Sequence, residues 1–483
     1  MKAALTAYSV HSADNALMRN TVLLGLAFAA TTGTIVIAQA PQSKPSTLQI
    51  PFESYALPNG LRVVLAPNHA SPTVAVTVWY HVGSKNEAAG KTGFAHLFEH
   101  VMFTGSGHVP YGVHDRLTEG VGGSNNGTTS RDRTTYFETV PSNYLETALW
   151  LESDRMGFLL DTLDIQKLNA QRDIVKNERR QRMDNQPYGL VDEIVSSTLY
   201  PATHPYSWDV IGSMADLTAA SETDVKDFFK LYYAPGNAIV SIAGDFQPQP
   251  TKALIARYFG AFPRGSAIVR PAAPPVTRDR ETRLVYEDRV QVPRLVIVWP
   301  TVGRQSDDRF PLAVLDAISA GPRTTRLTKA LVYDRQLATS ITARQDSDES
   351  AGEWRLTITP RPGVPLTDLE SAADAILDTL KAEGPTAEEI QRATAGLELD
   401  FVNGLESNLG RSMRLADGLG YENDAGSFQT DYQKMLAVTQ ADVKRVANKY
   451  LTKGRVVLSV VPIGKVEMAA KPSESTPFRR TEQ

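Results

Sequence analysis

The 483-residue chain contains no cysteine. Disulfides, thiolate nucleophiles and cysteine-held zinc are thereby excluded together, and any metal has to be bound by His, Asp and Glu. Blocks of like charge are missing too: 50 Lys and Arg and 54 Asp and Glu are spread along the chain, for a net −4. There is no basic footprint for nucleic acid and no polybasic anchor for a membrane. Histidine is sparse, with eight residues in all, and none follows position 204. What remains is ordinary for a globular protein, 42% hydrophobic and 22% charged. The length predicts two or more domains with sizeable cores.

One apolar run stands apart. From Met18-Arg19 the chain reads NTVLLGLAFAATTGTIVIAQA, a short positive start followed by an apolar centre and small residues. That layout reads as a secretory signal peptide over 1–40. Ala38-Gln39-Ala40 offers cleavage after Ala40, and cleavage after Ala38, with Val36 at −3, is its rival. Residues 1–17 resemble neither signal nor structure and read as an extension from an upstream start codon. Thr21–Ala38 is marginal against the roughly 20 residues a membrane span needs, and Thr and Gly dilute it. The expectation is a bacterial protein exported to the periplasm or beyond, with no stable membrane insertion once the signal is removed. PQSKPSTLQIP (41–51) follows as a Pro/Ser-rich leader.

The rest of the chain repeats itself. VTVWYHVGSKNE (76–87) recurs as VIVWPTVGRQSD (296–307), pairing Val78, Trp79, Val82 and Gly83 with Val298, Trp299, Val302 and Gly303. SETDVKDFFKLYYAPGNAIVSIAG (221–244) recurs as TQADVKRVANKYLTKGRVVLSVVP (439–462). The two matches keep their order at nearly equal shifts, which predicts two homologous domains, 52–263 and 283–470. A Pro/Ala-rich linker (264–282) joins them, and a tail (471–483) follows. LRVVLAPN and TVAVTVWYHV alternate as half-buried strands do. TGFAHLFEHVMF, SNYLETALWLESDRMGFLL and DIQKLNAQRDIVKNERRQRMD carry apolar residues at helical spacing, with Ser142 and Asp164 as N-caps of the last two. The hairpin-like clustering of strands favours an α+β class, each domain a largely antiparallel sheet with helices packed on it.

FAHLFEHVMF (94–103) carries the chemistry. On a helix His96 and His100 are i and i+4, so both rings leave one face and can converge on one ion. Zinc suits neutral imidazole and accepts carboxylate. Glu99 lies beside that face, where it can take a proton from water without ligating. H-x-x-E-H is the inverse of the H-E-x-x-H zinc-protease helix. The competing reading is two satisfied histidines in an ordinary helix. If the halves share an origin, only the first can hold an imidazole-ligated metal, because the second has no histidine. A catalytic zinc needs a third protein ligand, and on the residues alone Glu87, Glu119, Glu138, Glu146, Glu152, Glu178 and Glu193 all stay open.

Together with that helix, GGSNNGTTSRDRTTYFETVP (122–141), RDIVKNERRQRMDNQPYG (172–189) and GPRTTRLTKALVYDRQLATSITA (321–343) resemble the M16 metallopeptidases. These are the pitrilysin and mitochondrial processing peptidase group, and the resemblance spans nearly everything after residue 50. It implies one zinc per chain held by His96, His100 and Glu178, with Glu99 as general base in peptide hydrolysis. It also implies that Asn125, Asn126, Gly127 and Thr128 pair as a strand with an extended peptide backbone. Without it, that stretch reads as a polar loop or edge strand.

Two departures qualify the resemblance. Gln171 stands where many members place a second acidic residue seven positions before the ligand glutamate, so it can hydrogen-bond near the metal but brings no charge. Val332 and Thr339 stand where active members carry an Arg and a Tyr that bind the substrate carbonyl. The implied assembly is a heterodimer with a related subunit that lacks H-x-x-E-H and supplies that pair, with a homodimer as the alternative. The rival function is a non-catalytic scaffold or binding subunit.

Overall fold

A computed structural model describes residues 49–271 and 273–479. The signal-peptide segment and residues 41–48 of the leader lie outside the described residues. Two six-stranded sheets carry the fold. The first is built from β1 (Glu53–Ala56), β2 (Arg62–Pro67), β3 (Thr73–Tyr80), β4 (Ser124–Thr129), β5 (Thr134–Pro141) and β6 (Ala238–Gly244). Its order is β1-β2-β6-β3-β5-β4. The second uses β7 (Thr282–Asp288), β8 (Arg294–Val302), β9 (Ala338–Ser347), β10 (Ala351–Pro360), β11 (Val456–Pro462) and β12 (Thr476–Pro477). There the order is β12-β7-β11-β8-β10-β9. From β2 to β4 and from β7 to β9 the two orders are the same, which is the sequence repeat expressed in space.

The class is α+β, two sheet-plus-helix domains, and the sheets are mixed. Most neighbours are antiparallel, as hairpin spacing predicts, but β6 lies parallel to β2, and β11 and β12 lie parallel to β7. A strand that returns after a long helical excursion is free to enter in either direction, whereas a short hairpin is not. The tail is not separate from the second domain, because Thr476–Pro477 adds its edge strand. The linker is pinned to the first domain by Arg270, which donates to the His81 carbonyl and to Asn237 Oδ1, both at 2.9 Å.

Side-chain alternation explains why the repeat is written around tryptophan. Along β3 Val74, Val76, Val78 and Tyr80 enter the main core, while Thr77 and Trp79 face the other way. That other face is covered by the Asn408–Glu422 helix, a segment of the second repeat. Trp79 Nε1 donates to Asp417 at 3.0 Å, and Ser412 Oγ bonds Thr77 Oγ1 and the Ser241 carbonyl, both at 2.8 Å. In β8 the same parity holds: Val296 and Val298 join the main core, and Trp299 turns away to bond the Thr452 carbonyl at 2.8 Å. The Val191–Leu199 helix of the first repeat packs on β8 and β11 in return. Each domain thus lends a helix to the other's sheet, and the apolar core of the first domain continues onto one face of the second sheet.

The second repeated stretch is a pair of helix starts. Ser221 caps the Glu222–Tyr232 helix through Asp224, and Thr439 caps Gln440–Tyr450 through Asp442, each as a reciprocal capping box. Asp164 caps the Ile165–Arg179 helix as expected, accepting from the Lys167 amide at 2.8 Å. Ser142 does not cap. It opens a short 3₁₀ turn, and its hydroxyl bonds Asp245 at 3.2 Å, so the Leu145–Phe158 helix starts three residues later. Among the described residues no helix is long and apolar enough to cross a membrane.

Candidate metal centre

The H-x-x-E-H residues lie on the Phe94–Val101 helix, whose Phe94, Leu97, Phe98 and Val101 are buried in the core. Its start needs acceptors, because the first amides of a helix have no intrahelical partner. Glu87 supplies them, taking the Gly93 and Ala95 amides at 3.0 and 2.8 Å. Burial raises that carboxyl well above its ordinary range even so. One of the seven glutamates left open by the sequence is therefore a helix cap.

Of the others, Glu146 bonds Tyr258 at 2.8 Å, Glu193 bonds Arg179, and Glu138 and Glu152 lie buried behind β4. Glu178 is the carboxylate that reaches the histidines. It occupies the last turn but one residue of the Ile165–Arg179 helix, with Oε2 3.2 Å from His100 Nε2 and 3.7 Å from His96 Nε2. One ligand atom from each residue fits within 4.8 Å of the others. Zinc bonds of about 2.0–2.1 Å at tetrahedral angles place neighbouring donors about 3.3 Å apart. The two imidazoles and one carboxylate fit that ion in both donor chemistry and spacing.

Burial and the neighbouring His100 push the His96 imidazole down to about 4, which keeps it neutral at physiological pH. The hydrogen bond with His100 holds Glu178 below the ordinary carboxylate range. Arg182, one turn further along, bonds Glu178 Oε1 at 2.6 Å and leaves Oε2 to the histidines. Beyond Arg179 the helix widens, the Asn185 amide bonding the Arg180 carbonyl five residues back.

Glu99 lines the same cleft as the trio but is not one of the three converging ligands. Its Oε2 accepts the Thr129 hydroxyl at 2.6 Å, and burial raises its carboxyl above the ordinary range. Thr129 ends β4, the outermost strand of its sheet. Gly127 in that strand has no room for a side chain, since a Cβ would stand 2.9 Å from Glu99 Cγ. Asn126 Oδ1 turns back to the Gly127 amide at 2.8 Å. Asn125 Nδ2 donates to Thr118 at 2.6 Å, and Thr128 Oγ1 accepts from Arg133 at 2.9 Å. Around these groups opens a cleft of about 690 Å³ lined by the trio, Glu99, residues 126–129, Arg182, Asp192, Asp209 and Ile211. The stretch Asn126–Thr129 and the H-x-x-E-H helix, separate in sequence, thus form one wall and floor.

Gln171 is buried on the Glu178 helix but does not line the cleft. Val332 and Thr339 do not line it either. Val332 belongs to a wide helical turn, Thr328–Asp334, and Thr339 Oγ1 donates to the Thr359 carbonyl at 3.2 Å. Thr129 and Arg182 are the partners that motif reading overlooked. Arg182 carries a usable signal, an i+4 position from Glu178 on one helix. Thr129 has none, because its contact crosses from strand to helix.

In the second domain the Arg309–Ser319 helix stands where the motif helix stands in the first. Aligning Phe94 with Phe310 and Gly105 with Gly321 puts Leu312, Leu315 and Asp316 at the places of His96, Glu99 and His100. Leu312 and Leu315 are fully buried. Among the described residues the duplicated fold carries one His–His–carboxylate group, in the first repeat, and buried Leu312 and Leu315 take two of the three matching places in the second.

Comparison with known proteins agrees. The family description "Insulinase (Peptidase family M16)" matches residues 62–206, and "Peptidase M16 inactive domain" matches 219–397. The zinc protease PqqE of Helicobacter pylori is 31% identical over 403 residues, covering 82% of this chain and 90% of its own. The mitochondrial-processing peptidase subunit beta of Blastocladiella emersonii is 26% identical, covering 85% and 88%. The crystal structure of a protease from Helicobacter pylori superposes with a TM-score of 0.81 at 29% identity, covering 85% of this chain and 99% of that one. The chain belongs to the M16 family of peptidases.

Proposed function

We propose that this chain is an exported zinc metalloendopeptidase that hydrolyses peptides or unfolded polypeptides. The observation that carries the reading is the convergence of His96, His100 and Glu178 within 4.8 Å beside a carboxylate, Glu99, that is not drawn into the trio. His96, His100 and Glu178 would hold one zinc, which supplies Lewis acidity toward the scissile carbonyl and toward water. Glu99 acts as general base on that water and returns the proton to the leaving amine. Asn125, Asn126, Gly127 and Thr128 line up the substrate, which adds as a further strand to the open edge of β4. Gln171 belongs to the surroundings of Glu178 and contributes no charge there.

Val332 and Thr339 supply no donor for the carbonyl oxygen, so a second subunit is part of the proposal. A related chain without H-x-x-E-H brings an Arg/Tyr pair to the same substrate. The named similarity to a peptidase subunit supports that reading, and the apolar start of the chain supports export. The test is cleavage of an extended fluorogenic peptide by the purified chain, with and without its partner, before and after Glu99→Gln. Glu99→Gln is expected to keep its zinc and lose turnover by at least two orders of magnitude. Substantial turnover by a zinc-loaded Glu99→Gln chain refutes the assignment, and full activity of the chain alone refutes the need for a distinct partner.

A further inference from the structure

A second group of ligating side chains lies outside the cleft. His114 sits on the Val113–Glu119 helix, Glu138 on β5 and Glu152 on the Leu145–Phe158 helix. One ligand atom from each lies within 4.8 Å of the others, the same limit that His96, His100 and Glu178 meet. The group is shut off from solvent, with His114 7% exposed and both glutamates 0%. Neither ring nitrogen of His114 and neither carboxylate oxygen of Glu138 has a hydrogen-bond partner among the described residues. Glu152 is different, because Arg155 Nε donates to its Oε2 at 2.9 Å and Arg155 Nη2 donates to its Oε1.

The four unpaired atoms of His114 and Glu138, with Arg155 Nη1 unpaired beside them, call for a partner, since an unsatisfied buried polar group is costly and a lone buried charge more so. Two species answer the need. A proton shared by Glu138 and Glu152 would quiet the carboxylates but would leave both nitrogens of His114 orphaned. A cation bound by one nitrogen and one oxygen from each glutamate engages all three side chains. Arg155 does not compete, because each carboxylate oxygen keeps a second lone pair. The same division occurs at Glu178, where Arg182 takes one oxygen and the histidines face the other. One imidazole and two carboxylates suit a first-row divalent ion, whereas calcium and magnesium take all-oxygen sets.

We propose that His114, Glu138 and Glu152 form a second, structural site for a divalent ion such as Zn²⁺ or Mn²⁺. It joins two helices and β5 directly behind β4. Glu138 pairs across the sheet with Asn125, and the Asn125 amide bonds Thr118 on the His114 helix. The ion therefore braces the edge strand without touching what binds there.

The test is metal content of the full chain carrying His96→Ala and His100→Ala, saturated with zinc or manganese and gel-filtered. About one ion per chain is expected in this variant and about two in the native sequence. Chelating that ion lowers the melting temperature, and adding His114→Ala, or separately Glu138→Gln, removes it. A folded His96→Ala/His100→Ala chain that retains neither metal overturns the proposal. So does an ion that survives both further substitutions. The first measurement leaves the buried group intact, so it decides the matter even where the further variants do not fold. It also reads independently of whether the cleft is catalytic.

Discussion

Thr129→Val tests the geometry of the base more sharply than removal of the base itself. Valine replaces the hydroxyl with a methyl of like shape and suits a strand, so β4 and its pairing with β5 are kept. What is lost is the 2.6 Å hydrogen bond from Oγ1 to Glu99 Oε2. Hydrogen bonds to charged groups contribute about 1.5–3 kcal/mol. Glu99 is half-buried at the wall of an open cleft, so water partly replaces the hydroxyl and the lower end applies, about 1.5 kcal/mol. Because the bond fixes where the base stands and not how substrate is held, the loss falls on kcat. At 1.36 kcal/mol per factor of ten, kcat drops roughly tenfold with KM little changed. Steady-state kinetics on a fluorogenic peptide, with zinc content and melting temperature measured in parallel, reads this directly. Thr129→Ser keeps the hydroxyl and is expected to recover most of the rate. A Thr129→Val enzyme within twofold of native kcat, or a Thr129→Ser enzyme equally impaired, refutes the positioning role.

Two other outcomes follow from neighbouring contacts. Gly127→Ala drives a Cβ to within 2.9 Å of Glu99 Cγ, so it is expected to lower kcat at least as much as Thr129→Val while zinc content stays at the native level. An unchanged rate would mean that the strand yields instead of the base. Between the domains, Glu349 bonds His81 and Lys85, both at 2.6 Å. Burial alone would raise its carboxyl, but these two partners hold it down at about 2 against an ordinary 4.5. A depressed carboxylate stabilises the fold fully above about pH 4.5, and that stability is lost as the pH falls toward 2. Discounted for its part exposure, the contribution is on the order of 2 kcal/mol. Urea unfolding is expected to give a Glu349→Gln chain that is less stable at pH 7 and loses less between pH 5 and 3 than the native chain. Parallel losses would remove Glu349 from the account.

Much of the molecule is legible along the chain because its determinants are local. The capping boxes at Ser221 and Thr439 lie within four residues, the alternation around Trp79 and Trp299 within ten, and His96, Glu99 and His100 within five. Each of these readings depends only on the period of a helix or strand. Ser142 misled for the same reason, since it has the composition of a cap but its hydroxyl is claimed by Asp245, 103 positions away.

The sequence by itself determined the duplication, the α+β class, the loss of imidazole from the second half and the face from which His96 and His100 project. Only the tertiary structure decided which glutamate meets them. Glu87, Glu138, Glu152 and Glu178 are the same residue to any composition count, yet one caps a helix, two are buried behind β4 and one reaches the cleft. Likewise nothing local tells Asn408–Glu422 to cover the other domain's sheet, or Thr129 to hold Glu99. Short-range periodicity states where a side chain points from its own element. Which side chains then meet depends on how elements far apart in the chain are packed, and packing is a property of the whole core.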